Sequence, residues 1–230
     1  MLRHTALFLH RDTIGEDQKL AMMRGLAFLR MECAGVRAGD YGEDLFGGSS
    51  PLLAVPPWKR TPRWRARREG PASNYDVALH LDFDDEAALA LYLADDRRRA
   101  VARRNTAVNV PDLTARIDWR YEGDPLIRRG FVRHTAMFVW APEADAAARS
   151  RALAAARRLA DAPGVVSAVT GENAGGPAAN FDWILDVQLR DPLAARGLVE
   201  GAQYAAAMDA IAPATKHEWT ARVTHVMRGY

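Results

Sequence analysis

Cysteine is almost missing from this chain. Cys33 is the single one among 230 residues, which excludes an internal disulfide and a cysteine-based zinc site and suits a reducing compartment. Long apolar runs are missing as well. No stretch approaches the roughly 18 residues that a membrane helix needs. The opening segment MLRHTALFLHRD is interrupted by His4 and His10, so its apolar run is too short for a signal peptide. An excess of one charge is also lacking: 31 basic against 29 acidic residues leave +2, which makes a nucleic-acid partner an unfavoured reading. No ligand spacing of the HExxH kind occurs, so no metal is expected. These absences describe a soluble cytoplasmic protein without membrane association. Apolar residues make up 49% of the chain, enough for a substantial core.

What the chain has is a repeat. Arg3-His4-Thr5-Ala6-Leu7-Phe8 returns as Arg133-His134-Thr135-Ala136-Met137-Phe138. Gly42-Glu43 returns as Gly171-Glu172, Asn74-Tyr75-Asp76 as Asn180-Phe181-Asp182, and Ala115-Arg116-Ile117 as Ala221-Arg222-Val223. The spacing between copies falls from about 130 to 106, so about 24 extra residues sit in the first copy, between Leu45 and Ser73. Self-similarity on this scale decides the architecture before any local reading does. The first repeat is assigned to 1–122 with an insertion over 46–73, the connector to 123–130 and the second repeat to 131–230.

Each copy carries the same string of signals. An alternating strand opens it. Thr13-Ile14-Gly15-Glu16 resembles a capping box ahead of a helix reaching about Met31, and Gly35 and Gly164 mark helix ends. Strands follow at about 36–43 and 165–172, then at 75–83 and 181–189. Asp84 and Asp191 are expected to cap second helices, and last strands fall at 114–121 and 220–227. This β-α-β-β-α-β order is a ferredoxin-like unit, α+β in class. Its sheet has one face under helices and one bare face that must be buried. Two copies in one chain bury that face by closing sheet against sheet, giving one intramolecular α+β barrel. Separate domains would leave two apolar faces in water. The chain is therefore a monomeric pseudo-dimer, or a further homodimer of such units.

The insertion carries Trp58 and Trp64 among Lys59, Arg60, Arg63, Arg65, Arg67 and Arg68, six cations in ten residues. Pro, Gly and Ser punctuate it, so it reads as a loop. Three roles compete with plain solvation. It could cover a ligand with Trp58 stacked on an aromatic ring, dock an acidic carrier protein, or touch nucleic acid. Arg97-Arg98-Arg99 and Arg103-Arg104 read as a solvated helix face beside Asp95 and Asp96.

The strand-one pattern Arg3-His4…Phe8, followed by Asn74-Tyr75-Asp76-Val77-Ala78-Leu79, Asp84-Asp85-Glu86 and Leu91-Tyr92-Leu93-Ala94, resembles the stress-responsive A/B barrel (Dabb) family of the dimeric α+β barrel superfamily. Arg133-His134…Phe138 and Asn180-Phe181-Asp182 repeat the resemblance, which spans nearly the whole chain outside the insertion. The family includes proteins of stress response and polyketide cyclases of the olivetolic acid cyclase type. The cyclase resemblance implies a Tyr–His pair on the second helix, six residues apart. Tyr92 fits the Tyr, the His falls at Arg98, and copy two has Leu198 and Tyr204 there. By the same analogy the set His4-Ala6-Phe8-His10, with His134-Ala136-Phe138-Trp140, is sent into the barrel.

Alternation on the third strands puts Val77, Leu79, Leu81 and Phe83 under helices and His80, Asp82 and Asp186 on the opposite, inward face. The expected pocket has His4, His80, Asp82 and His134 as catalytic candidates. Phe8, His10, Tyr92, Phe138, Trp140, Asp186 and Trp58 are its substrate-binding candidates. A His near an Asp can move protons near neutral pH. Two readings stay open. One is a cofactor-independent cyclase or isomerase of a polyketide-like or aromatic small molecule, free or carrier-bound. The other is a non-catalytic stress or ligand-binding barrel.

Overall fold

In the computed structural model, which describes residues 1–11, 13–46, 74–123, 128–176, 178–216 and 219–228, each copy forms one four-stranded antiparallel sheet. In the first copy these elements are β1 (Leu2–Phe8), α1 (Glu16–Glu32), β2 (Ala38–Glu43), β3 (Val77–Phe83), α2 (Glu86–Ala94), α3 (Asp96–Val108) and β4 (Ala115–Arg120). The second copy repeats them as β5 (Val132–Phe138), α4 (Ala146–Arg157), β6 (Val165–Glu172), β7 (Trp183–Leu189), α5 (Pro192–Val199), α6 (Ala202–Ile211) and β8 (Ala221–Val226). Strand orders are β2-β3-β1-β4 and β6-β7-β5-β8, the ferredoxin-like arrangement twice over. No described helix is long and apolar enough to cross a membrane.

Local details depart from the expected signals in three places. The first helix is capped at Gly15, whose N–H donates to the Gln18 side chain at 3.0 Å, rather than at Thr13. Asp85, not Asp84, accepts the Ala88 N–H at 2.9 Å and starts α2; Asp191 does cap α5. The single second helix is broken in two, because Asp95 leaves the helical path and its carboxylate accepts the Arg97 N–H at 2.8 Å, starting α3 afresh. Gly35 and Gly164, at φ of 81° and 79°, turn the chain after the first helix of each copy as expected. The inserted segment 47–73, Trp58 included, lies outside the described residues.

The sheets face each other with their helices outside. Leu7, Ala78, Ile117 and Trp119 of one sheet share a buried cluster with Met137, Ile184, Ala221 and Val223 of the other. Two seams join the edges. At one, Leu45 N–H donates to Thr224 O at 2.6 Å and Asn74 N–H to Arg222 O at 3.0 Å. At the other, Ala174 N–H donates to Asp118 O at 2.7 Å and Asn180 N–H to Arg116 O at 3.0 Å.

The repeated motifs are the parts that make these seams. The Asn74 side chain accepts from Arg222 N–H at 2.6 Å and donates to Thr220 O at 2.8 Å. Asn180 does the same to Arg116 N–H and Thr114 O. Asp76 and Asp182 accept the backbone N–H of His10 and Trp140, both at 2.7 Å. The two glycines of the Gly-Glu pairs lie under rings of the opposite copy: a Cβ on Gly42 would strike His225, and one on Gly171 would strike Trp119.

Buried charges cross the interface. Arg3 grips Asp82 through Nε and Nη2 at 2.7 and 3.1 Å and reaches Asp186 of the other copy through Nη1 at 2.7 Å. Arg133 meets Asp40 of the first copy at 3.1 Å and Asp186 at 3.2 Å. Removing one partner from such a set strands the others without water. Arg3→Met is therefore expected to cost about 3 to 5 kcal/mol of unfolding free energy in urea titrations; a cost below about 1 kcal/mol, the range of a surface pair, would show that the network carries no such weight.

Candidate functional site

Side-chain alternation on β1 and β5 runs opposite to the direction taken from the family analogy. Arg3 and Thr5 point between the sheets, whereas His4, Ala6 and Phe8 point toward α1, α2 and α3. The cause is the charge network: one face of β1 must hold the cation that joins the copies, which turns His4 outward to the helix layer. In copy two Ala136, Phe138 and Trp140 likewise join the helix-side core. The expected single pocket is thus divided by the sheets into an inter-sheet interior and two helix-side spaces.

His80, Asp82 and Asp186 do face the interior. His80 is wholly buried, with Nδ1 3.2 Å from the Thr5 hydroxyl and Nε2 3.4 Å from that of Thr135. Its ring stacks on His225 at 5.5 Å. Burial first, and the Arg133 charge second, push its pKa well below the ordinary value, so it sits there as a neutral ring. Asp82 is held by Arg3 and by the Tyr121 hydroxyl at 2.9 Å, not by His80. Asp40, which the sequence reading passed over, accepts from His225 Nε2 at 2.8 Å and from Arg228 N–H at 3.0 Å. Burial raises the pKa of Asp40, but His225 and Arg133 outweigh it and hold it down at about 2.

The helix-side space of copy one is open. A cavity of about 130 Å³ lies between the sheet and α1 and α3, with His4, Phe8, Tyr92, Arg98, Asn105 and Arg116 among its walls. In register, His4 pairs with Asp118 across β1 and β4, and the two side chains meet at 2.6 Å, Nδ1 to Oδ1, both almost wholly buried. In the tautomer with its proton on Nδ1, His4 donates to Asp118 and has its lone pair on Nε2. No described residue hydrogen-bonds that nitrogen. Tyr92 stands beside His4, ring centroids 6.2 Å apart, with Arg98 over its face at 5.8 Å. Burial pushes the Tyr92 hydroxyl up to about 12 against the pull of Arg98, so it stays a proton donor at neutral pH. Arg98, expected on a solvated face, instead lines the cavity, whereas Arg97 and Arg99 lie on that face and pair with Asp95 and Asp96.

Copy two puts larger aromatic side chains into the matching space. Trp183 replaces Val77 and stacks on Phe138 at 4.2 Å and Trp140 at 5.1 Å. Tyr204 stands where Arg98 does, and its hydroxyl lies 2.8 Å from His134 Nε2, while His134 Nδ1 meets Thr224 at 2.8 Å. Both nitrogens of His134 are thereby engaged inside a dry core. Burial, then the Arg222 charge, lower its pKa to about 3. His10 caps the end of β1 instead of contributing to the cavity wall, with Nδ1 3.0 Å from Asn109 Oδ1. The cavity therefore gathers His4, Phe8 and Tyr92 from the expected set, and leaves His80, Asp82 and Asp186 in the interior and His134, Phe138 and Trp140 in the second core.

Asp118 was missed by the sequence reading. The signal was available: aligned at the late spacing of 106, Asp118 stands against Thr224 in otherwise matched strands. Gly176, from the other copy, was missed too. A Cβ there would overlap the Asp118 carboxylate. Gly176→Ala is expected to displace that carboxylate and change the ¹⁵N shifts of the His4 ring, with helical content unaltered; unchanged shifts would mean that the loop does not position Asp118.

The pH dependence of stability has a definite sign. Between 6.5 and about 3 the unfolded chain protonates the position 134 imidazole while the folded one does not. Stability from this group is therefore complete above 6.5 and falls as pH drops through that window, with a limiting slope of about 1.4 kcal/mol per pH unit. His80, shifted the same way, adds to the fall. Urea midpoints at pH 7, 5 and 4 should decrease steadily, and His134→Gln should flatten the slope; a parallel profile in that variant would remove His134 from the account.

No protein-family model and no curated protein sequence matches the chain. Solved structures do resemble it. An anthrone oxidase-like protein is 12% identical over 98% of this chain and 90% of its own, with a TM-score of 0.67. A candidate monooxygenase from Fusobacterium nucleatum is 10% identical over 98% and 91%, at 0.56. A candidate monooxygenase from Lactobacillus acidophilus is 14% identical over 99% and 92%, at 0.50. At these identities the likeness is one of fold, the two-copy ferredoxin-like architecture along nearly the entire length.

Proposed function

We propose that the first copy is a small-molecule enzyme that removes a proton from carbon next to a carbonyl, using His4 as base. The observation that carries this is the 2.6 Å His4–Asp118 contact opening onto a cavity that Tyr92 also lines. Asp118 fixes the tautomer and steadies the imidazolium that forms. His4 Nε2 takes the proton: the C–H bond breaks, an N–H bond forms, and the electron pair moves into an enolate. The Tyr92 hydroxyl donates to the enolate oxygen, where charge develops. Return of the proton to a different carbon completes an isomerisation; attack of the enolate carbon on a second carbonyl, followed by proton transfer to the resulting alkoxide, completes a cyclisation. No step draws on a cofactor.

The cavity holds about one ring, since a pocket of roughly 150 Å³ accommodates benzene, so a longer polyketide-like substrate would extend through the mouth near Arg98 and Arg116. Two of the similar structures are described as candidate monooxygenases and one as anthrone oxidase-like. An enolate consumed by dioxygen would share the same first step, and oxygen uptake separates that outcome from rearrangement. A ligand-binding barrel without catalysis is the remaining alternative.

Exchange of the α-protons of cyclohexanone in D₂O, followed by proton NMR, tests the reading without knowledge of the native substrate. The wild type should accelerate exchange, His4→Gln should lose about 10²- to 10⁴-fold, and Tyr92→Phe about 10²-fold. Wild-type exchange equal to that of His4→Gln would end the proposal and leave the non-catalytic barrel.

A further inference from the structure

Two cations border the cavity, and the carboxylate that faces them among the described residues, Asp118, is engaged with His4. Arg116 precedes Asp118 by two residues on β4, so both side chains stand on the helix-side face, and Arg116 pairs in register with Ala6 of the cavity wall. Arg98 reaches the same cavity from α3. Each is only partly exposed. Among the described residues neither forms a salt bridge, although Arg97 and Arg99 on either side of Arg98 both do.

We infer that Arg98 and Arg116 form an anion subsite at the cavity mouth, and that the substrate is a carboxylate whose single planar ring or equivalent acyl segment enters the cavity beneath. This rests on the proposed reaction only in taking the same cavity as the site. Two guanidinium groups that line one cavity, partly shielded from water and in no salt bridge among the described residues, repel each other until an anion arrives. Burial first, and the Arg98 charge second, lower the pKa of Arg116 from its ordinary value, in line with that cost. The planar forks suit the two oxygens of a carboxylate, and a volume of about 130 Å³ admits one ring, not several. Copy two supplies the contrast. Arg222 keeps the place of Arg116, but Tyr204 replaces Arg98 and Trp183 stacks on Phe138 where the first copy has Val77, so among the described residues the cation pair is not repeated.

Benzoate and the near-isosteric, neutral benzamide test the subsite by NMR titration of the full chain. Benzoate should bind at least about tenfold tighter than benzamide. That preference should shrink as sodium chloride is raised. Arg98→Gln and Arg116→Gln should each bring the two probes to within about twofold while benzamide affinity stays the same. Equal binding of the two probes by the wild type, or a preference that survives both substitutions, overturns the subsite. His4→Gln separates the two proposals: it should abolish proton exchange and leave the benzoate preference intact. Loss of the preference with exchange retained would defeat the subsite alone, and exchange independent of His4 with the preference retained would defeat the reaction alone.

Discussion

The fold depends on a buried arginine that belongs to one copy and needs a carboxylate from each copy to be satisfied. Arg3 finds Asp82 in its own sheet and Asp186 across the interface, and Arg133 returns the link to Asp40. Burial works against the Arg3 cation, and the two carboxylates more than offset it, raising its pKa. Because this charge must lie between the sheets, alternation assigns every other residue of the strand. Arg3 in means His4 out. The helix-side position of His4, the one histidine among the described residues that lines the cavity, thus follows from an interaction on the opposite face of the same strand.

Much of the architecture was legible in the sequence, since repeated residues are those whose role both copies need. Asn74 and Asn180 clip the seams, Asp76 and Asp182 hold the ends of β1 and β5, and Gly42 and Gly171 make room for a ring. Each is a local requirement, written as identity at a fixed spacing. The direction of the first strand was not legible. Both of its faces are mixed, with His4-Ala6-Phe8 against Arg3-Thr5-Leu7, and periodicity cannot tell which polar residue is paired. On the third strand four apolar residues alternate with His80 and Asp82, and there the inward face was read correctly.

The site was partly legible for the same reason. Positions where the copies disagree include several that line the cavity, but the disagreement has three meanings. At Tyr92 and Leu198, and at Asp118 and Thr224, the first copy keeps a group that lines or serves the cavity. At Val77 and Trp183, and at Arg98 and Tyr204, the second copy fills a space. His80 against Asp186 is a third kind, an exchange of partners inside the charge network, and sequence alone does not distinguish it from a catalytic difference. Asp118 eluded the reading because its partner, His4, is 114 residues away and recognisable only through strand register.

The unequal network also gives the two halves a pairing code. If the first half met a second copy of itself, Arg3 would confront the counterpart of Asp186, which is His80, and two basic side chains would share a dry interior. Asp40 would lose Arg133 and keep only Arg3 in its place. The halves fit each other as unlike parts, and the cavity of the first half comes with the partner that keeps its strand turned the right way.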